Sequence, residues 1–383
     1  MKIINKLLIA AGLLPLALSS CKDEAFPLYG NQNQRPPVNY TWAGTADSLQ
    51  NKLNTSFLSG NAKYYVLNDA GNTTFHYWPN AHVLDVLTDA YMRTDDEVYA
   101  QRMKSLLNGI KESNGNTFSN NFYDDMEWLA LSSLRAYELT DDATYLDAAN
   151  FLWTDIKTGI NDNQGGGIAW RKTQLDYKNT PANAPAIIFA ARLSRVNNNE
   201  EDLNIAISLY NWLAGKLLDS GTGLAWDGVN SKGDGQIDKN LYTYNQGIFM
   251  GAALELYRST NDAKYLDAAW RNAEATMKSP ALSPGGIMKA EGGGDGGLFK
   301  GVLVRYLTLL AQEEGLPAIN RNEIVKYLKF NAETLYTNGI ARPSMKISPD
   351  WSKKETGPTD LTVQLSGMML IEAAAQLNKA NLF

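Results

Sequence analysis

Two consecutive aspartates, Asp124 and Asp125, are the residues of this sequence whose types and spacing could do acid–base chemistry. Neighbouring carboxyl groups repel each other when both are ionised, which pushes one toward its neutral form while the other keeps its charge. Such a pair can supply a nucleophile and a general acid/base for the cleavage of a glycosidic bond. Taken alone, the pair is better explained as helix capping, because acidic residues such as these and Glu127 are favoured in the first turn of a helix.

Glycine, aromatic, amide and acidic residues are concentrated in a few segments of the chain, and such side chains suit a cleft that binds sugar rings. Phe122 and Trp128 flank the aspartate pair, and the glycine run 165–167 leads to Trp170, a candidate platform for a sugar. The further candidates for sugar contact are His76, Tyr123, Gly166, Gly167, Asp227, Tyr244, Asn245, Gln246 and Asp295. The alternative explanations are a tight turn for the glycines, helix capping for the acidic residues and ordinary packing for the histidine.

Several other classes of site are disfavoured by the sequence. His76 and His82 are the only histidines, which excludes a multi-histidine metal site, and we expect no metal and no cofactor. The glycine run lacks the spacing of a nucleotide-binding loop. Residues 230–241 have a faint likeness to a calcium-binding loop, but Lys232 and Leu241 stand where oxygen ligands are required, so a turn is predicted. A net charge of −6 and the absence of a basic cluster argue against nucleic acid as a partner.

The first residues of the chain predict export and a lipid anchor. A positive start and the apolar run 7–18, too short to span a bilayer, end at a segment that resembles a bacterial lipobox before Cys21. We therefore expect a signal peptide at 1–20, a lipidated Cys21 with a flexible tether at 21–40, and one domain at 41–383. An ordinary signal peptide with an incidental thiol at Cys21 is the alternative.

The predicted location is the outer membrane, which the protein contacts only through its lipid. Asp23 and Glu24 beside Cys21 resemble the surface-export signal of lipoproteins from Bacteroidota, which favours the cell surface over the periplasmic face. Because Cys21 is the only cysteine, no disulfide can stabilise the exported domain, and a large apolar core has to do so. We expect a monomer.

An internal repeat predicts how the candidate residues are positioned. The sequence of residues 140–149 recurs in similar form at 260–269, and a shorter copy lies at 94–99. Each copy carries a threonine and acidic residues that would cap a helix. Six helices with a single apolar stripe are predicted to start near residues 43, 96, 142, 200, 262 and 321. Six that are apolar on most faces are predicted to start near 78, 122, 181, 243, 297 and 361. This alternation predicts an all-α fold, an (α/α)6 barrel with six inner and six outer helices.

Three motifs resemble glycoside hydrolase family 76, the endo-α-1,6-mannanases: the Tyr-Asp-Asp segment at 123–125, the glycine run ending in Trp170, and residues 244–247. The resemblance extends from about residue 42 to 377. It implies an (α/α)6 barrel, Asp124 as nucleophile, Asp125 as acid/base and retention of the anomeric configuration. It also implies a polysaccharide substrate, the α-1,6-linked mannan backbone of fungal cell walls.

Two alternatives to a mannanase remain at this point. A non-catalytic glycan-binding surface lipoprotein would explain the tether and the aromatic residues, but not the carboxylate pair. Another (α/α)6 enzyme, such as a lyase or an unsaturated uronyl hydrolase, would act on anionic sugars and require basic residues in its loops. Arg171, Lys172 and Lys300 are the candidates for that role.

Overall fold

The computed structural model describes residues 38–383, which form twelve α-helices in two concentric rings. The outer ring consists of Trp42–Ser56 (α1), Glu97–Ser113 (α3), Ala143–Ile156 (α5), Glu200–Leu217 (α7), Ala263–Lys278 (α9) and Ala318–Thr334 (α11). The inner ring consists of Tyr77–Thr94 (α2), Tyr123–Thr140 (α4), Thr180–Asn197 (α6), Thr243–Thr260 (α8), Gly296–Ala311 (α10) and Leu361–Lys379 (α12). The predicted signal peptide, Cys21 and the tether up to residue 37 lie outside the described residues.

The predicted (α/α)6 barrel is confirmed. Each inner helix packs against the next one along the chain, and α12 packs back against α2, so the inner ring closes. Every helix begins within 3 residues of its predicted start. The largest difference is at α11, which was expected near residue 321 and begins at Ala318, directly after Pro317. Proline is compatible with a helix start because the first N–H groups of a helix have no intrahelical partner.

Burial differs between the two rings as the sequence pattern predicts. In the outer helix α3, the buried side chains form one stripe that includes Tyr99, Met103 and Ile110. The inner helices are buried on most faces and approach each other closely at glycines. A Cβ atom on Gly247 of α8 would lie 2.7 Å from the Cα of Leu303 in α10, so a larger residue would push the two helices apart. None of the helices between residues 38 and 383 is long and apolar enough to cross a membrane.

The repeated threonine–acid segments form the turns from inner to outer helices. In the copy at 140–142, Thr140 is the last residue of α4, and Asp141 has a left-handed φ of 55°. The carboxylate of Asp142 accepts the Thr144 N–H at 3.0 Å and so caps α5. The copies at 94–96 and 260–262 have the same arrangement. The expected acidic caps are confirmed, whereas the threonine belongs to the preceding inner helix and does not begin the outer one.

Short strands connect the helices at the opposite end of the barrel, where the inner helices begin. Lys178–Asn179 (β1), Gly228–Val229 (β2) and Ile237–Asp238 (β3) form an antiparallel sheet in the order β1-β2-β3, in which Asn179 pairs with Gly228. Ile340–Ala341 (β4) and Lys346–Ile347 (β5) form a separate hairpin. The turn predicted within 230–241 is the connection between β2 and β3.

Candidate active site

A cavity of about 520 Å³ opens at the end of the barrel where the inner helices begin. It is lined by His76, Trp78, Phe122, Asp124, Asp125, Trp128, Trp170, Tyr177, Asn179, Asp227, Tyr242, Tyr244, Asp295 and Phe299. These residues come from the first two turns of α2, α4, α8 and α10 and from the segments that precede α2, α4, α6, α8 and α10. Seven of the sequence candidates are therefore brought together in one cavity: His76, Asp124, Asp125, Trp170, Asp227, Tyr244 and Asp295.

The aspartate pair lies in the first turn of α4 and faces this cavity. One oxygen of Asp124, Oδ2, accepts the indole N–H of Trp170 at 3.0 Å, and Oδ1 accepts the backbone N–H of Asp125 at 3.0 Å. Asp125 accepts a hydrogen bond from the amide of Asn120 at 3.2 Å. Asp124 thus does satisfy one N–H group at the helix start, but its second oxygen and the carboxyl group of Asp125 make contacts that capping does not explain.

The two aspartates differ in how easily they ionise. Burial raises the pKa of Asp124, and the hydrogen bonds from Trp170 and from the Asp125 N–H oppose that rise because they stabilise the charged form. Burial raises the pKa of Asp125 well above its ordinary value, and the negative charges of Asp124 and Asp295 raise it further. The pKa of Asp124 is raised to about 7, so Asp124 is the first of the pair to ionise, and Asp125 keeps its proton to higher pH.

Two further carboxyl groups make the cavity acidic. Asp227 accepts hydrogen bonds from the Asn245 amide at 3.0 Å and the Tyr177 hydroxyl at 3.5 Å, and burial raises its pKa to about 6. Asp295 accepts the indole N–H of Trp78 at 2.8 Å, which links the start of α2 to the start of α10.

No lysine or arginine from the described part of the chain, residues 38–383, lines the cavity. The guanidinium of Arg171 lies over the Trp170 ring at 4.8 Å and donates to Gln174. Lys172 pairs with Asp155, and Lys300 donates to a backbone carbonyl. The basic residues that an anionic sugar would require are turned elsewhere.

Aromatic rings form the walls of the cavity. Tyr244 and Phe299 are stacked with ring centroids 3.9 Å apart, and Trp78 lies 6.4 Å from Phe299 on the same wall. Trp170 is packed edge-on against Phe122 at 5.0 Å and Tyr177 at 5.5 Å. Flat apolar surfaces beside hydrogen-bonding carboxylates suit sugar rings, whose faces are apolar and whose rims carry hydroxyl groups.

Amide side chains near the starts of four inner helices hold the loops that form the cavity. Asn183 of α6 accepts the N–H of Ile168 at 2.7 Å and donates to its carbonyl at 3.0 Å. Gln246 of α8 pairs in the same way with Ala225, at 2.8 Å for both bonds. Asn80 of α2 makes the same pair of bonds with Tyr65, and Gln364 of α12 accepts the Ile347 N–H and donates to the Met345 carbonyl. Ile168 and Ala225 lie two residues before Trp170 and Asp227. The bonds from Asn183 and Gln246 therefore also position these two cavity residues.

Comparison with known proteins places this fold and cavity in a family. Residues 41–382 match the model of glycosyl hydrolase family 76. The chain belongs to this family. A family 76 α-1,6-mannanase from Salegentibacter sp. HEL1_6 superposes on it with a TM-score of 0.85 and 45% identity, covering 88% of this chain and 99% of that one.

Two other proteins are similar to this family 76 chain. An inactive variant of the Salegentibacter mannanase has two consecutive aspartates changed to asparagine and is in complex with α-1,6-mannotriose. That structure is 44% identical, covers 88% of this chain and 99% of its own, and has a TM-score of 0.85. A mannan endo-1,6-α-mannosidase from Saccharomyces cerevisiae is 25% identical over 321 residues, which cover 75% of this chain and 69% of that protein.

Three residues predicted to contact sugar in this glycoside hydrolase lie behind the cavity lining. Consecutive residues of a helix point about 100° apart, so a neighbour of a lining residue can face an adjacent helix or loop. Tyr123 is buried, with its hydroxyl 3.2 Å from that of Thr158. Asn245 donates to Asp227, and Gln246 holds Ala225. These three side chains support cavity residues or the surrounding packing, and they do not line the cavity.

Gly166 and Gly167, also predicted to contact sugar, do not line the cavity of the family 76 structure. A Cβ atom on Gly167 would lie 2.8 Å from Asn183 Oδ1 and from the Trp212 ring, which shows close packing against protein. The carbonyls of both glycines accept hydrogen bonds from the buried Lys178 ammonium group. The run forms a tight turn that leads the chain to Trp170 in the cavity lining.

Seven lining residues of the family 76 cavity were not selected from the sequence as sugar contacts, although Phe122 and Trp128 were noted as flanking the aspartate pair. The seven are Trp78, Phe122, Trp128, Tyr177, Asn179, Tyr242 and Phe299. All except Trp128 lie within three residues of the start of an inner helix. Distance from a predicted inner-helix start is the signal that could have found them.

Proposed function

We propose that this family 76 glycoside hydrolase is a retaining endo-α-1,6-mannanase that cleaves the mannan backbone of fungal cell walls without a cofactor. The observation that carries the proposal is the aspartate pair, in which Asp124 accepts the Trp170 N–H and ionises before Asp125 within one aromatic, acidic cavity. The Salegentibacter mannanase supports it, because changing two consecutive aspartates gives an inactive variant of that enzyme.

The pair can carry out both steps of a double displacement. Asp124 attacks the anomeric carbon while the bond to the leaving oxygen breaks, and the Asp125 proton passes to that oxygen. The departing chain is released with a new hydroxyl group. Asp125, now a carboxylate, takes a proton from water as the water oxygen attacks the same carbon, which frees Asp124. Water is added across the bond, and two inversions leave the α configuration unchanged.

The acidic cavity favours an uncharged polysaccharide over the anionic sugars of lyases and uronyl hydrolases. Four carboxyl groups face the cavity and no cation from residues 38–383 does, so a uronate would meet repulsion without a compensating partner. A non-catalytic glycan-binding protein would have no use for a buried pair that is costly to keep close together. Both alternatives are therefore less well supported than a mannanase.

Incubation with defined glycans tests the proposal. We expect linear α-1,6-mannan to lose chain length early and yield oligosaccharides of mixed size, while polygalacturonate remains intact. Branched mannan reports how far side chains are tolerated. Release of mannose alone from the outset would contradict endo cleavage, and binding of mannan without any product would favour the glycan-binding alternative.

The hydrogen bond from Trp170 to Asp124 predicts a pH effect. Trp170→Phe keeps a ring in place but removes the N–H that stabilises the Asp124 carboxylate, so the pKa of Asp124 rises. Because the nucleophile has to be ionised, the acidic limb of the kcat/KM profile should move to higher pH by about one unit. Trp153→Phe is the control, since Trp153 donates in the same way to Asp202 at 2.7 Å, away from the cavity. An unchanged acidic limb in Trp170→Phe would contradict the assignment of Asp124 as nucleophile.

We propose in addition that the protein acts as a monomer tethered to the outer membrane through Cys21, with its domain at the cell surface. The lipobox-like segment before Cys21 supports this location. Cys21→Ser should release the protein from membranes or block processing of the signal peptide. A variant that is processed normally and still sediments with membranes would exclude the lipid anchor, and protease treatment of intact cells tests surface exposure.

A further inference from the structure

Asn120 connects the loop before α4 to the protonated member of the aspartate pair. Its Oδ1 atom accepts the backbone N–H of Phe122 at 3.0 Å, and its Nδ2 atom donates to Oδ2 of Asp125 at 3.2 Å. The backbone N–H can only donate, so it determines which end of the amide is oxygen. The end that faces Asp125 is therefore the NH2 group, a donor in every protonation state of the enzyme.

A donor at one oxygen of a carboxyl group decides where the proton of that group resides. A protonated carboxyl has one O–H donor and one oxygen that only accepts. Because Asn120 donates to Oδ2 of Asp125 and a carbonyl oxygen accepts better than a hydroxyl oxygen, the proton is favoured on Oδ1. In the second step of the reaction, when Asp125 is a carboxylate, the same N–H stabilises the negative charge.

We propose that Asn120 is a positioning residue that holds the Asp125 carboxyl with its protonated oxygen, Oδ1, directed to the glycosidic oxygen of the substrate. This inference rests on the proposed function, because it assumes that Asp125 is the general acid. No role was assigned to Asn120 from the sequence.

The surroundings of Asp125 make this single donor important. The titratable and charged groups that face it are Asp124 on α4, Asp295 before α10 and the Tyr77 hydroxyl of α2, which itself donates to the Phe118 carbonyl at 2.6 Å. Within residues 38–383, no lysine or arginine lines the cavity with it. The amide of Asn120 is thus a neutral donor to Asp125, whose charged neighbours Asp124 and Asp295 repel a negative charge on it.

Asn120→Asp tests the proposal with little change of shape. The new carboxylate can still accept the Phe122 N–H, but it cannot donate to Asp125 and brings a like charge near it. We expect kcat/KM on linear α-1,6-mannan to fall about 10- to 100-fold, because proton donation to the leaving oxygen is impaired. An aryl α-1,6-mannotrioside whose leaving group needs no proton should lose less than about threefold. The basic limb of the mannan profile should move to higher pH, since Asp125 stays protonated longer.

Asn199→Asp is a closely matched control. Asn199 caps α7 by accepting the Glu201 N–H at 2.9 Å, and its amide donates to Asp202 at 3.1 Å, far from the cavity. Both substrates should be cleaved at the wild-type rate. If Asn120→Asp is too unstable to assay, Asn120→Ser takes its place, because a serine hydroxyl can accept the Phe122 N–H and is too short to reach Asp125.

The outcomes separate this inference from the proposed function. Equal losses on both substrates with unmoved pH limbs, or full activity on mannan, would overturn the role of Asn120 while the wild-type protein remains a mannanase. A wild-type protein that cleaves neither substrate would overturn the proposed function and this inference with it.

Discussion

Asp124→Asn and Asp125→Asn should each lower kcat/KM on linear α-1,6-mannan by about three orders of magnitude, roughly 4 kcal/mol of transition-state stabilisation. The first change removes the nucleophile, and the second removes the transferable proton. Both proteins should fold, because an asparagine oxygen can still accept the N–H that Asp124 accepts at the start of α4. On an activated aryl mannoside, Asp125→Asn should retain more activity than Asp124→Asn, since only protonation becomes dispensable. Initial rates and thermal unfolding measure these effects.

Asp202→Asn is the control for the aspartate pair. Asp202 also lies in the first turn of a helix, α7, and also accepts a tryptophan N–H, but it is buried outside the cavity. Its substitution should leave activity unchanged and lower only the melting temperature. If Asp124→Asn and Asp125→Asn behave like Asp202→Asn, with lower stability and full activity, helix capping is the correct explanation of the pair.

Gly167→Ala should lower the free energy of unfolding by about 2 to 4 kcal/mol. Gly167 has a left-handed φ of 81°, and its Cβ position is occupied by Asn183 and Trp212, so strain and overpacking add. Gly165→Ala is the control, because Gly165 has a similar φ of 84° with no atom within 4 Å of the new Cβ. It should cost about 1 kcal/mol. Urea denaturation compares the two variants. If both variants lost the same free energy of unfolding, backbone strain alone would explain the need for glycine at 167, and close packing against Asn183 and Trp212 would not.

The helices of this protein could be predicted because local patterns determine them. The repeated segments at 94–99, 140–149 and 260–269 mark three of the five turns from an inner helix to the next outer helix, and the apolar pattern distinguishes the rings. The predicted start of α11 was the least accurate. The first turn of this helix carries Asn320 and Arg321, which do not belong to its buried apolar stripe.

The site could be predicted only in part because its contacts are tertiary. The bond from Trp170 to Asp124 joins residues 46 positions apart, and no local pattern reports it. The direction in which each side chain points is the second property of the site that the sequence does not predict. A shift of two residues along α8 separates Tyr244, which lines the cavity, from Gln246, which holds a loop behind it. The motif at 244–247 shows that the segment matters, but it does not reveal which side of the helix faces the sugar.

Proton NMR of the first product released from linear α-1,6-mannan tests the central claim most directly. Consecutive carboxyl groups that act as nucleophile and acid/base are expected to give retention. The new reducing ends should therefore appear first as the α-anomer and convert to the β-anomer only by mutarotation. An initial β-anomer would show inversion, and the assignment of Asp124 as a covalent nucleophile would be wrong. The second catalytic carboxylate would then have to be sought at Asp227 or Asp295, the other acidic groups of the cavity.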